Sequence, residues 1–190
     1  GLLQLLLRSE GTGIRIVTSE AEPFIESTLG QVHTLFVQGA PRWIQGWESV
    51  FARWGMRVHV EGPGHDAIII FDGADPDQAA SLTLEATLRN SGMDPNSPHR
   101  IYVSHAILGA YNRALLRQSR EYRLGPPQDT GTDLGPLPDA EIRGLLTRLE
   151  RAFSQGARVQ CGGESRLCTP DGAHGMEPTL VSGCRSDMAL

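Results

Sequence analysis

The segment NSGMDPNSPHR, residues 90–100, gathers side-chain types that carry acid–base or nucleophilic chemistry. Asp94, Ser97 and His99 supply a carboxylate, a hydroxyl and an imidazole in a short polar stretch that contains two prolines. A loop held between a helix-like and a strand-like segment is a common position for catalytic residues. A serine nucleophile, however, needs a base within hydrogen-bonding reach. The residue types alone leave two interpretations open, a catalytic loop and a structural connection.

Glu61 is the carboxylate in the most informative position. It ends the strand-like run RVHVE and is followed by the turn Gly62-Pro63-Gly64. In an open α/β sheet, the carboxyl ends of the strands form the ligand crevice. A buried glutamate there would be a candidate general base. The alternative is a solvated glutamate at the end of a surface strand.

The sequence gives weaker indications of a metal site or of a phosphate-binding loop than of an acid–base site. Cys161, Cys168, His174 and Cys184 could supply three thiolates and one imidazole to zinc, but their spacing lacks the close cysteine pair typical of structural zinc sites. We therefore expect no metal site. Neither G-x-G-x-x-G nor G-x-S-x-G occurs, and the Gly-Pro-Gly turn is not followed by the lysine of a phosphate-binding loop.

The composition narrows the class of protein. The chain has 190 residues, of which 39% are hydrophobic and 21% charged, with a formal net charge of −5, so a nucleic-acid binder is not expected. The apolar opening GLLQLLLRSE is too short to cross a membrane. Three cysteines do not suggest a disulfide framework, which favours a cytoplasmic location. The first residue is not Met, so we expect a trimmed chain or a piece of a longer one.

The elements that must position these residues alternate along the chain. A buried helix face is expected near the start, and five later helices are expected at residues 22–29, 43–54, 75–88, 107–120 and 142–153. Strands are expected in the runs IRIVTS, VHTLFVQG, RVHVE, DAIIIFDG, RIYVSH and ARVQCGG, whereas residues 164–190 should be mostly extended. This alternation predicts an α/β fold with a parallel or mixed sheet and flanking helices.

Some residues have expected roles inside these elements. Asp75 should cap the N-terminus of its helix, and glycines at 30, 55 and 156 should end three helices. The aromatic stripe Trp43, Trp47, Phe51 and Trp54 could be a partner-binding face, but burial in the core is the favoured interpretation. Burial to varying degrees is also expected along two other helices, at Ala79, Leu82, Leu84, Ala86 and Leu88, and at Ile142, Leu145, Leu146, Leu149, Ala152 and Phe153.

Six stretches, taken together and in this order, resemble segments of the aldehyde dehydrogenase superfamily. They are VHTLFVQGA (family VxxVxFTGS), VHVEGPGHDAIIIFDGADPDQA (LELGGKxPxIVxxDADLDxA), NSGMDPNSPHRIYV (NxGQxCxAxxRxxV), LGPPQDTGTDLGPL (GDPxxxxTxxGPL), ERAFSQGARVQCGGE (ExAxxxGAxVxxGG) and MEPTLVSGCRSDM (xxPTVLxxVxxDM). The resemblance implies part of a Rossmann-like nucleotide-binding domain in residues 1–60 and most of a catalytic domain in residues 61–190. Further family segments would lie outside this chain on both sides.

The resemblance also implies a mechanism, in which a cysteine thiolate attacks an aldehyde, hydride passes to NAD(P)+ and a glutamate activates water. Glu61 stands at the general-base position. The nucleophile position holds Pro95, which has neither a nucleophile nor a backbone N–H. Cofactor contacts are implied for Gly39, Ala40 and Gly62, although Ala40 replaces the family's serine.

These matches lead to three functional hypotheses. The first is a catalytically silent domain with a structural, scaffold or assembly role, forming homo-oligomers or packing against a neighbouring aldehyde dehydrogenase-type domain. The second is an active NAD(P)-dependent enzyme that oxidises an aldehyde to a carboxylic acid with another nucleophile, such as Ser97. The third is a nucleotide-binding sensor without chemistry. The vacated position at Pro95 favours the first.

Overall fold

A computed structural model of the chain describes residues 19–38, 41–62, 64 and 66–188. The expected helix face and strand within residues 1–18 lie outside these described residues, as do Gly39 and Ala40. The chain divides into two compact units, residues 1–63 and 64–190. The functional assignment of the portions 1–60 and 61–190 remains a prediction from the sequence.

The first unit contains a pair of parallel strands with helices before and between them. Its elements are α1 (Ala21–Thr28), β1 (Thr34–Gln38), α2 (Pro41–Gln45), α3 (Glu48–Arg53) and β2 (Arg57–Glu61). Strands β1 and β2 pair in parallel from Thr34 opposite Arg57 to Gln38 opposite Glu61. Gly30 and Gly55 follow α1 and α3 with positive φ angles of 74° and 63°, as expected of glycines that end helices.

The expected single helix over residues 43–54 is two short helices, because the chain is interrupted between Gln45 and Glu48, where the weak helix former Gly46 lies. The aromatic stripe is only partly buried. Phe51 is buried, and Trp43 and Trp47 pack against the cluster that it forms with Ile25 and Met56. The Trp54 side chain is 51% exposed, so the expectation of a core position is wrong for this residue.

The second unit places two helices on a second parallel pair of strands and ends in two short antiparallel pairs. Its elements are β3 (Ala67–Ile70), α4 (Pro76–Leu88), a 3₁₀ segment (Arg89–Gly92), β4 (Arg100–Val103), α5 (Leu108–Ser119), α6 (Asp139–Ser154), β5 (Arg158–Cys161), β6 (Ser165–Leu167), β7 (His174–Met176) and β8 (Leu180–Ser182). Strand β5 pairs with β8 and strand β6 with β7. The segment 164–190, expected to be mostly extended, thus contributes three of these strands.

The core of the second unit lies between the strands β3 and β4 and the helices α4 and α5. The strands pair in parallel, from Ala67 opposite Arg100 to Ile70 opposite Val103. Ile70 is buried against Leu84 and Tyr111 in one cluster, whose other buried members are Ala80, Ala114 and Leu115. The Tyr111 hydroxyl donates a hydrogen bond of 3.0 Å to Thr83 Oγ1, which in turn donates to the carbonyl of Ala79 at 2.8 Å.

Helix α4 confirms its expected cap but not all of its expected core positions. The Asp75 carboxylate accepts hydrogen bonds from the backbone N–H groups of Asp77 and Gln78 at 2.9 and 2.8 Å, which stabilises the first turn. Leu82, expected to be buried, is 57% exposed. The buried face instead carries Ala80, Thr83 and Leu84, whose separations of three and four residues place them on one side of the helix.

Helix α6 follows its expected pattern with one exception. Ile142, Leu149 and Ala152 are buried, whereas Phe153 is 44% exposed. Gly156, with a φ angle of 99°, follows the helix and allows the chain to reverse into β5.

The buried Tyr111 hydroxyl gives a stability prediction. Tyr111→Phe removes its hydrogen bond with Thr83, so we expect the free energy of unfolding at neutral pH to fall by about 1 kcal/mol. Burial, opposed by that hydrogen bond, raises the pKa of Tyr111 above the ordinary 10.0. As the pH rises above 10, the Tyr111 hydroxyl loses its proton in the unfolded state before it does so in the folded state. The free energy of unfolding of the wild type therefore falls with pH, whereas Tyr111→Phe, which lacks this hydroxyl, does not show that fall.

Urea unfolding at neutral pH and above pH 10 would measure both effects. Tyr102→Phe is the matched control, because the Tyr102 ring is 55% exposed. An equal free energy of unfolding for Tyr111→Phe and wild-type at neutral pH would contradict the expected contribution.

Candidate functional site

The expected nucleophile loop begins with a left-handed turn. Asn90, Ser91 and Gly92 have positive φ angles of 49°, 57° and 78°, and the Met93 N–H donates to the Asn90 carbonyl at 3.0 Å. Asparagine and glycine tolerate this conformation better than most residues. Ser91 Oγ accepts a hydrogen bond of 2.8 Å from the backbone N–H of Gly135. The turn is thus attached to the long connection that precedes α6.

The next part of the loop is closed by its own polar groups. The Asn96 N–H donates to the Asp94 carboxylate at 2.9 Å, and the Ser97 N–H donates to the Asp94 carbonyl at 2.9 Å. Ser97 is only 1% exposed, and its hydroxyl donates to the Ala86 carbonyl of α4 at 3.2 Å. Asp94 and Ser97, which suggested chemistry from the sequence, therefore make hydrogen bonds that fix the shape of the loop.

Pro95 lies where the loop passes close to Gly64. A Cβ atom at Gly64 would be 3.1 Å from the Pro95 carbonyl oxygen, so a side chain there would crowd the loop. Pro95 is half-buried. The backbone N–H of His99 then donates to the Asp66 carbonyl at 3.0 Å, just before β4 begins. The loop is therefore held by hydrogen bonds at both of its ends and lies close to Gly64 at Pro95.

Glu61 is the last residue of β2 and is exposed. Its register partner is Gln38, the last residue of β1, so the carboxyl ends of both strands lie at one edge. This is the edge at which ligands bind in open parallel sheets. Gly62 follows Glu61 directly, whereas the other two residues with implied cofactor contacts are outside the described residues. NAD(P) binding therefore stays a prediction.

The structure adds two rings on the face of the sheet that carries Glu61. Phe36 and His59 are register partners, and their rings are stacked with centroids 4.7 Å apart and an interplanar angle of 11°. His59 precedes Glu61 by two positions, so both side chains point to the same face. This pair was not predicted from the sequence, because it depends on the register of two strands that are distant in the chain.

The cysteines and His174 form separate local contacts. Cys161 Sγ is 3.7 Å from Ser119 Oγ, Cys168 Sγ is 3.4 Å from the Ala173 carbonyl, and Cys184 Sγ is 3.7 Å from the Val181 carbonyl. His174 Nδ1 is 3.1 Å from the Gly172 carbonyl. In the part of the chain that the structure describes, no three His, Cys, Asp or Glu side chains are grouped to hold a metal ion. The same residues include no helix long and apolar enough to cross a membrane.

Comparison with known proteins identifies the family. The sequence profile described as "Aldehyde dehydrogenase family" matches residues 44–190, which is most of the chain. The protein therefore belongs to the aldehyde dehydrogenase family. This confirms the resemblance and the α/β fold class inferred from the sequence.

Solved structures agree with this assignment. The chain is 27% identical to an aldehyde dehydrogenase from Brucella melitensis biovar abortus 2308, with a TM-score of 0.81 over 92% of its own length. An NAD-dependent aldehyde dehydrogenase from Sinorhizobium meliloti gives 27% identity and a TM-score of 0.80. The fold is also similar to that of succinate-semialdehyde dehydrogenase from Burkholderia pseudomallei, at 22% identity and a TM-score of 0.83 over 93% of this chain. The chain spans 36%, 34% and 38% of these three proteins.

The bond between Ser91 and Gly135 gives a prediction about the loop. Ser91→Ala leaves the Gly135 N–H without its acceptor, so we expect a loss of about 1 to 3 kcal/mol in the free energy of unfolding. Amide hydrogen exchange at Gly135 should accelerate at the same time, because this N–H loses its bond to Ser91.

Ser154→Ala is the control, since Ser154 Oγ donates only to the Arg151 carbonyl within α6. Unchanged exchange at Gly135 in Ser91→Ala would show that the loop is not attached to the connection in this way.

Proposed function

We propose that this chain is a catalytically silent aldehyde dehydrogenase-like domain with a structural, scaffold or assembly role. The proposal rests on Pro95, which the resemblance places at the position of the family's nucleophile. Proline offers no group that can attack a carbonyl carbon, and it has no backbone N–H to stabilise an oxyanion there. The thiohemiacetal route is therefore closed at its first step.

The neighbours of Pro95 do not replace the missing thiolate. Ser97 is buried, and its hydroxyl proton is directed to the Ala86 carbonyl, which is not a base that could activate it. The Asp94 carboxylate accepts a hydrogen bond from the Asn96 N–H. These contacts support a structural function for the loop.

Two of the three cysteines, Cys168 and Cys184, are poorly suited to act as the nucleophile. Burial, with the nearby Asp171 carboxylate, raises the pKa of the Cys168 thiol, and burial raises the pKa of the Cys184 thiol. A raised pKa leaves less of the thiolate, which is the nucleophilic form. All three cysteines are free, which supports a location in a reducing compartment, and we propose the cytoplasm.

An assay of aldehyde oxidation tests the proposal. With a panel of aliphatic and aromatic aldehydes and either NAD+ or NADP+, we expect NAD(P)H formation to remain at the background rate, because no nucleophile forms the acyl intermediate. The measurement is absorbance of the reduced cofactor, with a cysteine-containing family member as the positive control.

The variants Glu61→Gln and Glu121→Gln distinguish an activity of this protein from that of a contaminating enzyme. Glu61 stands at the general-base position, whereas Glu121 is an exposed glutamate beyond the end of α5. Turnover that is present in wild-type and Glu121→Gln but absent in Glu61→Gln would overturn the proposal.

Labelling tests the second functional hypothesis, an active enzyme with a different nucleophile. After treatment with an activated ester, we expect peptide mass spectrometry of the folded protein to find no acyl adduct on Ser97. The reason is that its hydroxyl is buried and hydrogen-bonded. The same treatment in denaturant is the control for peptide detection, and a stoichiometric Ser97 adduct in the folded protein would support an esterase-like activity.

A further inference from the structure

A polar pocket lies in the connection between α5 and α6. It has a volume of about 550 Å³, and all of its lining comes from the segment 123–132. Five of the nine lining residues have polar or charged side chains and two are glycines. No residue of the loop at 90–99 lines it. The pocket is therefore separate from the candidate site, and its composition suits a polar ligand.

Hydrogen bonds between its two ends close this segment on itself. The Arg123 carbonyl accepts from the N–H groups of Asp133 and Leu134 at 2.9 and 3.0 Å, and the Gly125 N–H donates to the Leu134 carbonyl at 3.0 Å. Gly125 is buried, and Thr132 Oγ1 lies 2.5 Å from the place that a Cβ atom would take there. Because the segment is already closed without a ligand, binding costs little ordering entropy.

The guanidinium of Arg123 has no protein partner in the described part of the chain. It forms neither an ion pair nor a hydrogen bond with any of these residues. The Asp133 carboxylate accepts its hydrogen bond of 2.8 Å from the backbone N–H of Arg123, not from the guanidinium. Arg123 Nη1 lies 3.6 Å from the place that a Cβ atom would take at Gly131. The positive charge is thus held beside the backbone of the pocket.

Two backbone N–H groups next to this charge are also without acceptors. Thr130 and Gly131 line the pocket, and neither of their N–H groups donates to another described residue. The flanking N–H groups of Asp129 and Thr132 do donate, each at 3.0 Å, to the carbonyls of Pro126 and Asp129. Successive N–H groups left open in a turn form a concave surface that binds anions.

We propose that this pocket binds a phosphate group, free or carried on a small molecule. The guanidinium of Arg123 matches two phosphate oxygens with parallel N–H···O bonds. The N–H groups of Thr130 and Gly131 add hydrogen bonds to a charged acceptor, which are stronger than those between neutral groups. The inference goes beyond the proposed function and does not depend on whether the domain is catalytically silent.

Asp129 is the acidic residue in the lining, and it limits the expected affinity. Its charge opposes the anion, so we expect a dissociation constant on the order of 1 mM for inorganic phosphate. Asp129→Asn should tighten binding by about threefold, because it removes that repulsion. Arg123→Gln should weaken binding by at least about tenfold, because it removes charge-assisted hydrogen bonds.

A titration followed by amide NMR of the isotope-labelled 190-residue chain provides the test. With inorganic phosphate, we expect the amide resonances of Thr130 and Gly131 to shift saturably, whereas chloride at equal ionic strength leaves them unchanged. Phenyl phosphate, titrated in parallel, distinguishes the two sources of the phosphate group. Tighter binding of this monoester supports a phosphorylated small molecule as the ligand, and tighter binding of inorganic phosphate supports the free ion.

Arg151→Gln is the matched control, since Arg151 is exposed at the end of α6 and does not line the pocket. Binding that is weakened in Arg123→Gln, kept in Arg151→Gln and tightened in Asp129→Asn supports the proposal. Arg123→Lys replaces Arg123→Gln should the latter not fold, and it should weaken binding by about threefold, because lysine keeps the charge without the planar fork.

Three results would overturn the phosphate site. One is the absence of a saturable shift with either probe, and another is an equal response to chloride. The third is equal binding by wild-type and both Arg123 variants. Each of these results leaves the proposed loss of catalysis untouched, because the aldehyde assay tests that proposal separately.

Discussion

The packing of α4 and α5 onto one face of β3 and β4 is the constraint on which the rest of the second unit depends. Tyr111 reaches from α5 to Thr83 on α4, and Ile70 and Leu84 complete the contact between strand and helix. The loop at residues 90–99 joins α4 to β4, so this core fixes both of its ends. Among the described residues, the same packing leaves Ile69 and Tyr102 exposed on the opposite face of the sheet.

The loop at residues 90–99 keeps its shape through contacts that do not involve the side chain at position 95. Its shape comes from the left-handed turn at Asn90–Gly92 and from the hydrogen bonds of Asp94 and Ser97. None of these interactions requires a thiol at position 95. Proline there also fits a loop whose backbone is already fixed, because its restricted φ lowers the entropy of the unfolded chain. The conformation of the loop therefore does not depend on the residue type at position 95.

Much of this fold follows from local signals in the sequence. The sequence predicts the Asp75 cap and the glycines after α1, α3 and α6, because short-range steric and hydrogen-bonding rules determine them. It predicts the parallel pairing from the alternation of strands and helices. The exposure of Leu82 and Trp54 could not be predicted in this way, because it depends on which side of each helix meets a neighbour. The Phe36–His59 stack likewise requires the register of two strands that are distant in sequence. At the candidate site, the order of the motifs assigned Pro95 and Glu61 to family positions. The burial of Ser97 could be seen only in the structure.

The loop at residues 90–99 and the parallel pair of β3 and β4 differ in how their exposed groups are satisfied. Polar groups of the loop form hydrogen bonds with the Asp94 carboxylate inside the loop, with the Ala86 carbonyl of α4 and with the Gly135 N–H. The loop therefore needs no substrate or cofactor to hold its shape. The parallel pair of β3 and β4 leaves Ile69 and Tyr102 exposed among the described residues. Covering apolar surface of this kind with a partner lowers the free energy of the protein. Burial of Ile69 and Tyr102 by a partner would therefore be favourable whatever residue stands at position 95.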